Sequence, residues 1–168
     1  MSYLGMTTRM VAFAAHGGAT GEAYYAAPSA AGKMGGVVLV HHMPGWDDWT
    51  QEAARKLAHF GFACIAPHLY FREGPGSPDD LAARARTKGG VADDQVMGDV
   101  KGCMAFLRAQ PESNGKVAVM GFCSGGATPI SPAARCRGST RWWIAGAAMS
   151  SWTIPPISRL RAPWRRST

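Results

Sequence analysis

Lys116-Val117-Ala118-Val119-Met120-Gly121-Phe122-Cys123-Ser124-Gly125-Gly126 decides how this chain is read. Residues 116–121 form a short apolar run after Asn114-Gly115, a turn signal, and so predict a strand buried on both faces. The six residues from Gly121 to Gly126 then turn that strand at once into a helix. At such a turn the apex residue is held in a strained backbone conformation, and glycines two positions to either side let the chain segments pass. The apex side chain, Cys123, stands at the C-terminal end of the sheet, where open α/β folds bind ligands. The helix N-terminus below it brings partial positive charge and free N–H groups, which favour a thiolate. The stretch therefore predicts an exposed nucleophilic cysteine; the competing reading is a glycine-rich turn around an inert buried one.

Upstream of this turn the sequence alternates strands and helices. Residues 10–26 carry two short alternating segments around His16-Gly17-Gly18 and predict a hairpin. Val37-Val38-Leu39-Val40, a continuous apolar and largely β-branched run, predicts a central buried strand. Asp47 or Asp48 caps a helix running to about Phe60, with Leu57 and Phe60 on its inner face and Gly61 as its stop. Phe62-Ala63-Cys64-Ile65-Ala66 is a second buried strand, ended by Pro67. Residues 71–94, rich in Gly, Pro and charge, form an excursion with one short helix near residues 81–86. Val96, Val100, Cys103, Met104 and Leu107 recur at spacings of three and four and mark the core stripe of a further helix. Strand, helix, strand, helix, strand implies right-handed crossovers and a mostly parallel sheet covered on both faces, an α/β fold.

The bulk numbers bound the class. The chain has 168 residues and 46% apolar content, enough for one domain with a sizeable core. It has no run of about 18 apolar residues to span a bilayer, and no charged segment followed by an apolar stretch and a cleavage site at its start. No membrane partner is expected, and the cytoplasm is the expected compartment. Cys64, Cys103, Cys123 and Cys136 form no C-x-x-C pair, which argues against a disulfide framework and a zinc site, so no metal or cofactor is expected. His41 and His42 are adjacent; on a strand they face opposite ways and cannot chelate one metal together.

At this point the sequence resembles the dienelactone hydrolases (carboxymethylenebutenolidases), a family of α/β-hydrolase fold. The resemblance covers about residues 10–126: His41-His42-Met43-Pro44-Gly45 at a strand end, Ala66-Pro67-His68-Leu69-Tyr70 at a strand exit, Ser113-Asn114-Gly115-Lys116-Val117 leading into a strand, and the Gly-Phe-Cys-Ser-Gly-Gly elbow. It implies Cys123 as the nucleophile that attacks a small lactone or ester to give an acyl-enzyme. It implies the backbone N–H groups of Ser124 and Met43 as the oxyanion hole, each such donor typically worth about 2.7 to 4 kcal/mol. The best-studied relatives set a glutamate beside the resting thiol, and its position aligns with His42, a possible thiol partner here. Those relatives also bind the substrate carboxylate with arginines, one of them in the excursion; Arg72, Arg84 and Arg86 are the candidates, and the sequence does not choose among them.

Beyond the elbow the text changes. Residues 127–168 contain seven arginines, no lysine, no acid, no histidine and four of the six tryptophans. With those arginines set aside, residues 1–126 carry 11 basic and 11 acidic residues, so the whole formal charge of +7 lies in the tail. The family order along the chain is nucleophile, aspartate, histidine, yet no Asp, Glu or His follows Cys123. If one base is restored before the Ala127 codon, Ala-Thr-Pro-Ile-Ser becomes compatible with Arg-His-Ala-Tyr-Leu. Gly138-Ser139-Thr140-Arg141-Trp142-Trp143-Ile144 becomes compatible with Phe-Asp-Ala-Val-Val-Asp, its final Val-Asp forced by the tryptophan and isoleucine codons. The expectation is a truncated α/β-hydrolase fold in residues 1–126 and an out-of-frame tail in 127–168, leaving the strand before Cys123 as an exposed edge and the chain with little or no turnover.

Two other readings compete. A class I glutamine amidotransferase also sets a cysteine on an elbow, but a Gln is then expected shortly after it, where this chain has Gly126-Ala127-Thr128. A non-catalytic module with a basic, nucleic-acid-binding tail is the other; no helical or aromatic-interleaved pattern organises the arginines, so no nucleic-acid partner is expected.

Overall fold

Val37 to Val40 run through the middle of the sheet, where their β-branched sequence places them. A computed structural model describes residues 5–29, 32–122 and 141–145. Its strands are β1 (Met6–Ala14), β2 (Thr20–Pro28), β3 (Met34–Val40), β4 (Ala63–Pro67), β5 (Ser113–Phe122) and β6 (Arg141–Ala145), in the spatial order β1-β2-β4-β3-β5-β6. β3 is parallel to β4 and β5, and β5 is parallel to β6. β1 and β2 form the antiparallel hairpin predicted around His16, and β2 joins it to the sheet against β4. The helices are α1 (Asp48–His59), α2 (Pro78–Thr87) and α3 (Asp93–Ala109).

Period-two side-chain alternation divides the central strand between two cores. Val38 and Val40 pack with Ile65, Val117 and Val119 against the stripe Val96, Val100, Cys103, Met104 and Leu107 of α3. Val37 and Leu39 pack with Cys64 and Ala66 against Ala54 and Ala58 of α1. Helices thus cover both faces, which is why these strands read as unbroken apolar runs. α3 also crosses the hairpin closely: a Cβ on Gly102 would collide with the carbonyl oxygen of Ala14, so only glycine permits this approach.

The structure departs from expectation in four places. Asn114-Gly115 does not precede β5 but lies inside it, at an irregular register between Met34 and Gly36 of β3; Gly115 takes φ +77, and the Asn114 and Ser113 side chains satisfy the backbone N–H groups of Lys116 and Gly115. Phe60 and Phe62 are exposed rather than core, because the inner face of α1 is built from Thr50, Ala54 and Ala58, which let the helix lie close on the sheet. The excursion holds a ten-residue helix, α2, started by a Ser77–Asp80 capping box. Finally, β5 is not an edge: β6, within the tail, pairs with it from Ala118–Arg141 to Phe122–Ala145. An unpaired run of N–H and C=O groups beside β5 and the high strand propensity of Trp-Trp-Ile explain that pairing.

Candidate active site

The parallel strands β3, β4 and β5 end at one edge of the sheet, and His41, His42 and Met43 follow β3 there. His41 follows β3 and is 3% exposed. Its Nδ1–H donates to the carbonyl of His42 at 2.8 Å and its Nε2 accepts from the Leu69 N–H at 3.3 Å, so both nitrogens are used and the ring ties the end of β3 to the exit of β4. Its ring and that of Tyr70 meet in a T-shaped arrangement, centroids 4.7 Å apart. Burial pushes the His41 imidazole down to about 4, more than the hydrogen bond to His42 offsets. It is a neutral structural brace.

A histidine depressed in this way is a stability liability in acid. Unfolded, His41 takes a proton near its ordinary pKa of about 6.5; folded, it resists until about 4. The unfolded state therefore binds more protons between those values, and stability falls as pH drops through that window. His68, also pushed down chiefly by burial, adds in the same direction. The expected loss between pH 7 and pH 4 is on the order of 3 kcal/mol from His41, read from urea-denaturation midpoints; replacement of His41 by Gln should flatten the slope.

His42 faces the other way. Its Nε2 lies 2.8 Å from Oδ2 of Asp47, and its ring stacks on Trp49 at 5.0 Å. Asp47 is also the N-cap of α1, accepting from the Thr50 N–H and hydroxyl, each at 2.9 Å. Burial works to raise the Asp47 carboxyl, but the hydrogen bonds from Thr50 and His42 outweigh it and hold the group below the usual carboxylate range. Sequence reasoning placed Asp47 only as a cap; the signal for more was its spacing, five residues after a histidine and across a Pro-Gly turn that brings the two side chains together.

Met43 follows, exposed, with its carbonyl accepting the Tyr70 hydroxyl at 3.2 Å. Val40, His41, Met43, Leu69, Tyr70 and Arg86 line a cleft of about 460 Å³ against α2 and α3. Burial raises the Tyr70 phenol, and the Arg86 guanidinium partly offsets that. Cys123 and Ser124 lie outside the described residues; the register pairs Val40 with Gly121, two residues before His42 and Cys123 respectively.

The three candidate arginines separate. Arg72 grips the buried carboxylate of Asp99 with two hydrogen bonds of 2.8 and 3.0 Å and donates to the His16 carbonyl. Arg84 donates to the carbonyls of Glu73 and Pro75 at 2.6 and 2.8 Å, closing the excursion on α2. Arg86 alone of the three lines the cleft. Among the described residues, no three His, Cys, Asp or Glu side chains come together as a metal site, and no helix is long and apolar enough to cross a membrane.

A mostly parallel sheet flanked by helices, with a cleft at the carboxyl ends of its strands and the elbow sequence following β5, defines an α/β hydrolase. The chain belongs to the dienelactone hydrolase family, whose model matches residues 22–141. It is 33% identical over 135 residues to the carboxymethylenebutenolidase of a Pseudomonas species, covering 77% of this chain and 56% of that one. Carboxymethylenebutenolidase 1 of Cupriavidus pinatubonensis is 31% identical over 105 residues, 59% of this chain and 45% of its own length. Among solved structures, a dienelactone hydrolase-like promiscuous phosphotriesterase from metagenomic libraries superposes with a TM-score of 0.61 at 30% identity, over 74% of this chain and 52% of that one. The dienelactone hydrolase of Anabaena variabilis, at 17% identity, shares the fold with a TM-score of 0.64, over 85% of this chain and 64% of that one. The chain spans about half the length of the curated relatives it matches.

Proposed function

We propose that the protein is a cysteine hydrolase of small lactones or esters that carry an anionic group. Cys123 attacks the carbonyl, the backbone N–H groups of Met43 and Ser124 hold the oxyanion, and Arg86 pairs with the substrate anion. The observation that carries this reading is the cleft at the end of β3: it is lined by apolar side chains, by Met43 and by Arg86, while Arg72 and Arg84 are engaged in holding the fold. Arg86, the one arginine among the described residues that line this largely apolar cleft, would select and orient an anion, leaving the strand ends for the reacting carbonyl.

We propose further that residues 127–168 are read out of frame and that the 168-residue chain turns over little or no substrate. Supporting this, the tail departs in composition from residues 1–126, and across Arg141–Ala145, where β6 lies, the other frame is compatible with Ala-Val-Val-Asp, its final Val-Asp forced by the codons.

The specificity is tested in a chain whose frame is restored, with an anionic lactone and a neutral aryl ester as paired substrates. Cys123→Ala is expected to abolish both activities. Arg86→Met is expected to raise KM for the anionic lactone by roughly ten- to a hundredfold, as for a lost charge-assisted hydrogen bond, with the neutral ester unchanged. Equal effects of Arg86→Met on both substrates would remove Arg86 from the reading; hydrolysis surviving Cys123→Ala would remove the thiol.

A further inference from the structure

Asn114 is the one asparagine of the chain, and Gly115 follows it. The pair stands where β5 and β3 are out of step: Met34 pairs with Ser113 and Gly36 with Val117, so residues 114–116 of β5 lie opposite Gly35. Asn114, Gly115 and Lys116 are all exposed. Gly115 takes φ +77, and nothing lies within 4 Å of where a Cβ on it would stand, so its nitrogen is open to approach. Two hydrogen bonds organise this turn. The Gly115 N–H donates to Oγ of Ser113 at 3.1 Å, and the Lys116 N–H donates to Oδ1 of Asn114 at 2.9 Å.

The same two bonds serve a reaction between the groups they hold. The amide of an asparagine is lost when the backbone nitrogen of the next residue attacks the side-chain carbonyl carbon and closes a five-membered ring. The attacking nitrogen must give up its proton, and Ser113 Oγ already accepts that N–H. The carbonyl oxygen must take up negative charge, and the Lys116 N–H already donates to it, as a donor in an oxyanion hole does. We propose that Asn114 is a site of intramolecular deamidation, promoted by the Ser113 hydroxyl and the Lys116 N–H.

In the step, the Gly115 amide proton passes to Ser113 Oγ while that hydroxyl gives its own proton to a solvent hydroxide. The Gly115 nitrogen bonds to Cγ of Asn114, the Cγ–Nδ2 bond breaks, and ammonia leaves with a proton from water, which regenerates the hydroxide. Water then opens the ring at either carbonyl. Opening at Cγ gives aspartate at position 114; opening at the main-chain carbonyl gives an isoaspartyl link, with one more methylene in the backbone. Either product carries one more negative charge than the parent. The added methylene falls among residues 114–116, outside the paired positions, so the ladder from Gly36–Val117 to Val40–Gly121 keeps its register. Every group involved lies in residues 113–116, and the reaction is open to the 168-residue chain as it stands.

The test follows the purified 168-residue chain by mass spectrometry in mildly alkaline buffer, beside a synthetic peptide of residues 109–116, the tryptic fragment that carries the pair. Conversion of the amide to an acid adds about 1 Da, and fragmentation assigns the gain to Asn114 rather than Gln110 and separates aspartate from isoaspartate. Expected is faster conversion in the folded chain than in the peptide, with both products formed. Ser113→Ala should slow the folded chain at least about tenfold, below the usual contribution of a positioned proton acceptor, and leave the peptide carrying the same change within about twofold of its parent. Ser113→Thr keeps a hydroxyl and should keep the folded rate within about threefold. A folded chain that converts no faster than the peptide overturns the proposal, as does an unchanged rate in Ser113→Ala. Equal slowing by Ser113→Ala and Ser113→Thr overturns the role of the hydroxyl, and aspartate formed without isoaspartate overturns ring closure.

Discussion

Replacing Arg72 by Ala is expected to destabilise the fold by about 3–5 kcal/mol, the cost of leaving a buried carboxylate without its counter-charge. Asp99 is 0% exposed in the middle of α3, and its two oxygens take Arg72 from the excursion and the His16 N–H from the hairpin turn. Three segments far apart in sequence are thus fastened at one point. Removal of the guanidinium leaves the charge facing only one backbone N–H, and water reaches it poorly. Adding Asp99→Asn to Arg72→Ala is expected to recover most of the loss, because Asn still accepts from His16 while the buried charge is gone. Urea denaturation of the single and double variants measures both. A loss under about 1 kcal/mol for Arg72→Ala would mean that the pair behaves as an exposed salt bridge, and the assignment of Arg72 to structure rather than substrate would fall.

This ion pair also marks where the sequence was and was not legible. The stripe of α3 was readable because five apolar residues obey one period, and the structure buries all five. Asp99 sits on that same stripe, directly before Val100 and three residues after Val96, and an acid at a core position is a signal that a cation must come to it. What the sequence could not supply was the identity of the cation, since Arg72, Arg84 and Arg86 differ only in what the excursion does in three dimensions. The strands were legible for the reason that α1 was less so: runs such as Val37 to Val40 state their burial outright, whereas α1 packs through Ala54 and Ala58, small residues that a hydrophobic pattern weights less than Phe60 beside them. Asp47 was hidden by doing two things. Its cap role explained it fully, and its second oxygen pointed to His42 only once the turn between them had a shape.

Restoring one base before the Ala127 codon, and reading on to the stop of that frame, is expected to raise steady-state hydrolysis by at least about 10³-fold over the 168-residue chain. The magnitude follows from a protease in which loss of the triad lowered kcat about 2 × 10⁶, with the oxyanion hole and binding accounting for what remained. The two halves of the reaction should suffer unequally. Acylation asks for a thiolate, which the helix N-terminus predicted after the elbow favours, and the good leaving group of an activated ester departs without a proton. Release of the acyl group asks for a base that activates water, and residues 124–168 contain no Asp, Glu or His to serve. The 168-residue chain is therefore expected to release about one equivalent of alcohol from an activated ester and then stall, with the acyl group retained on Cys123 and visible by mass spectrometry. The restored chain should show the same burst followed by a steady rate. If the 168-residue chain turns over at a rate near that of the restored one, the tail is not a loss, and the catalytic groups lie elsewhere in residues 1–126.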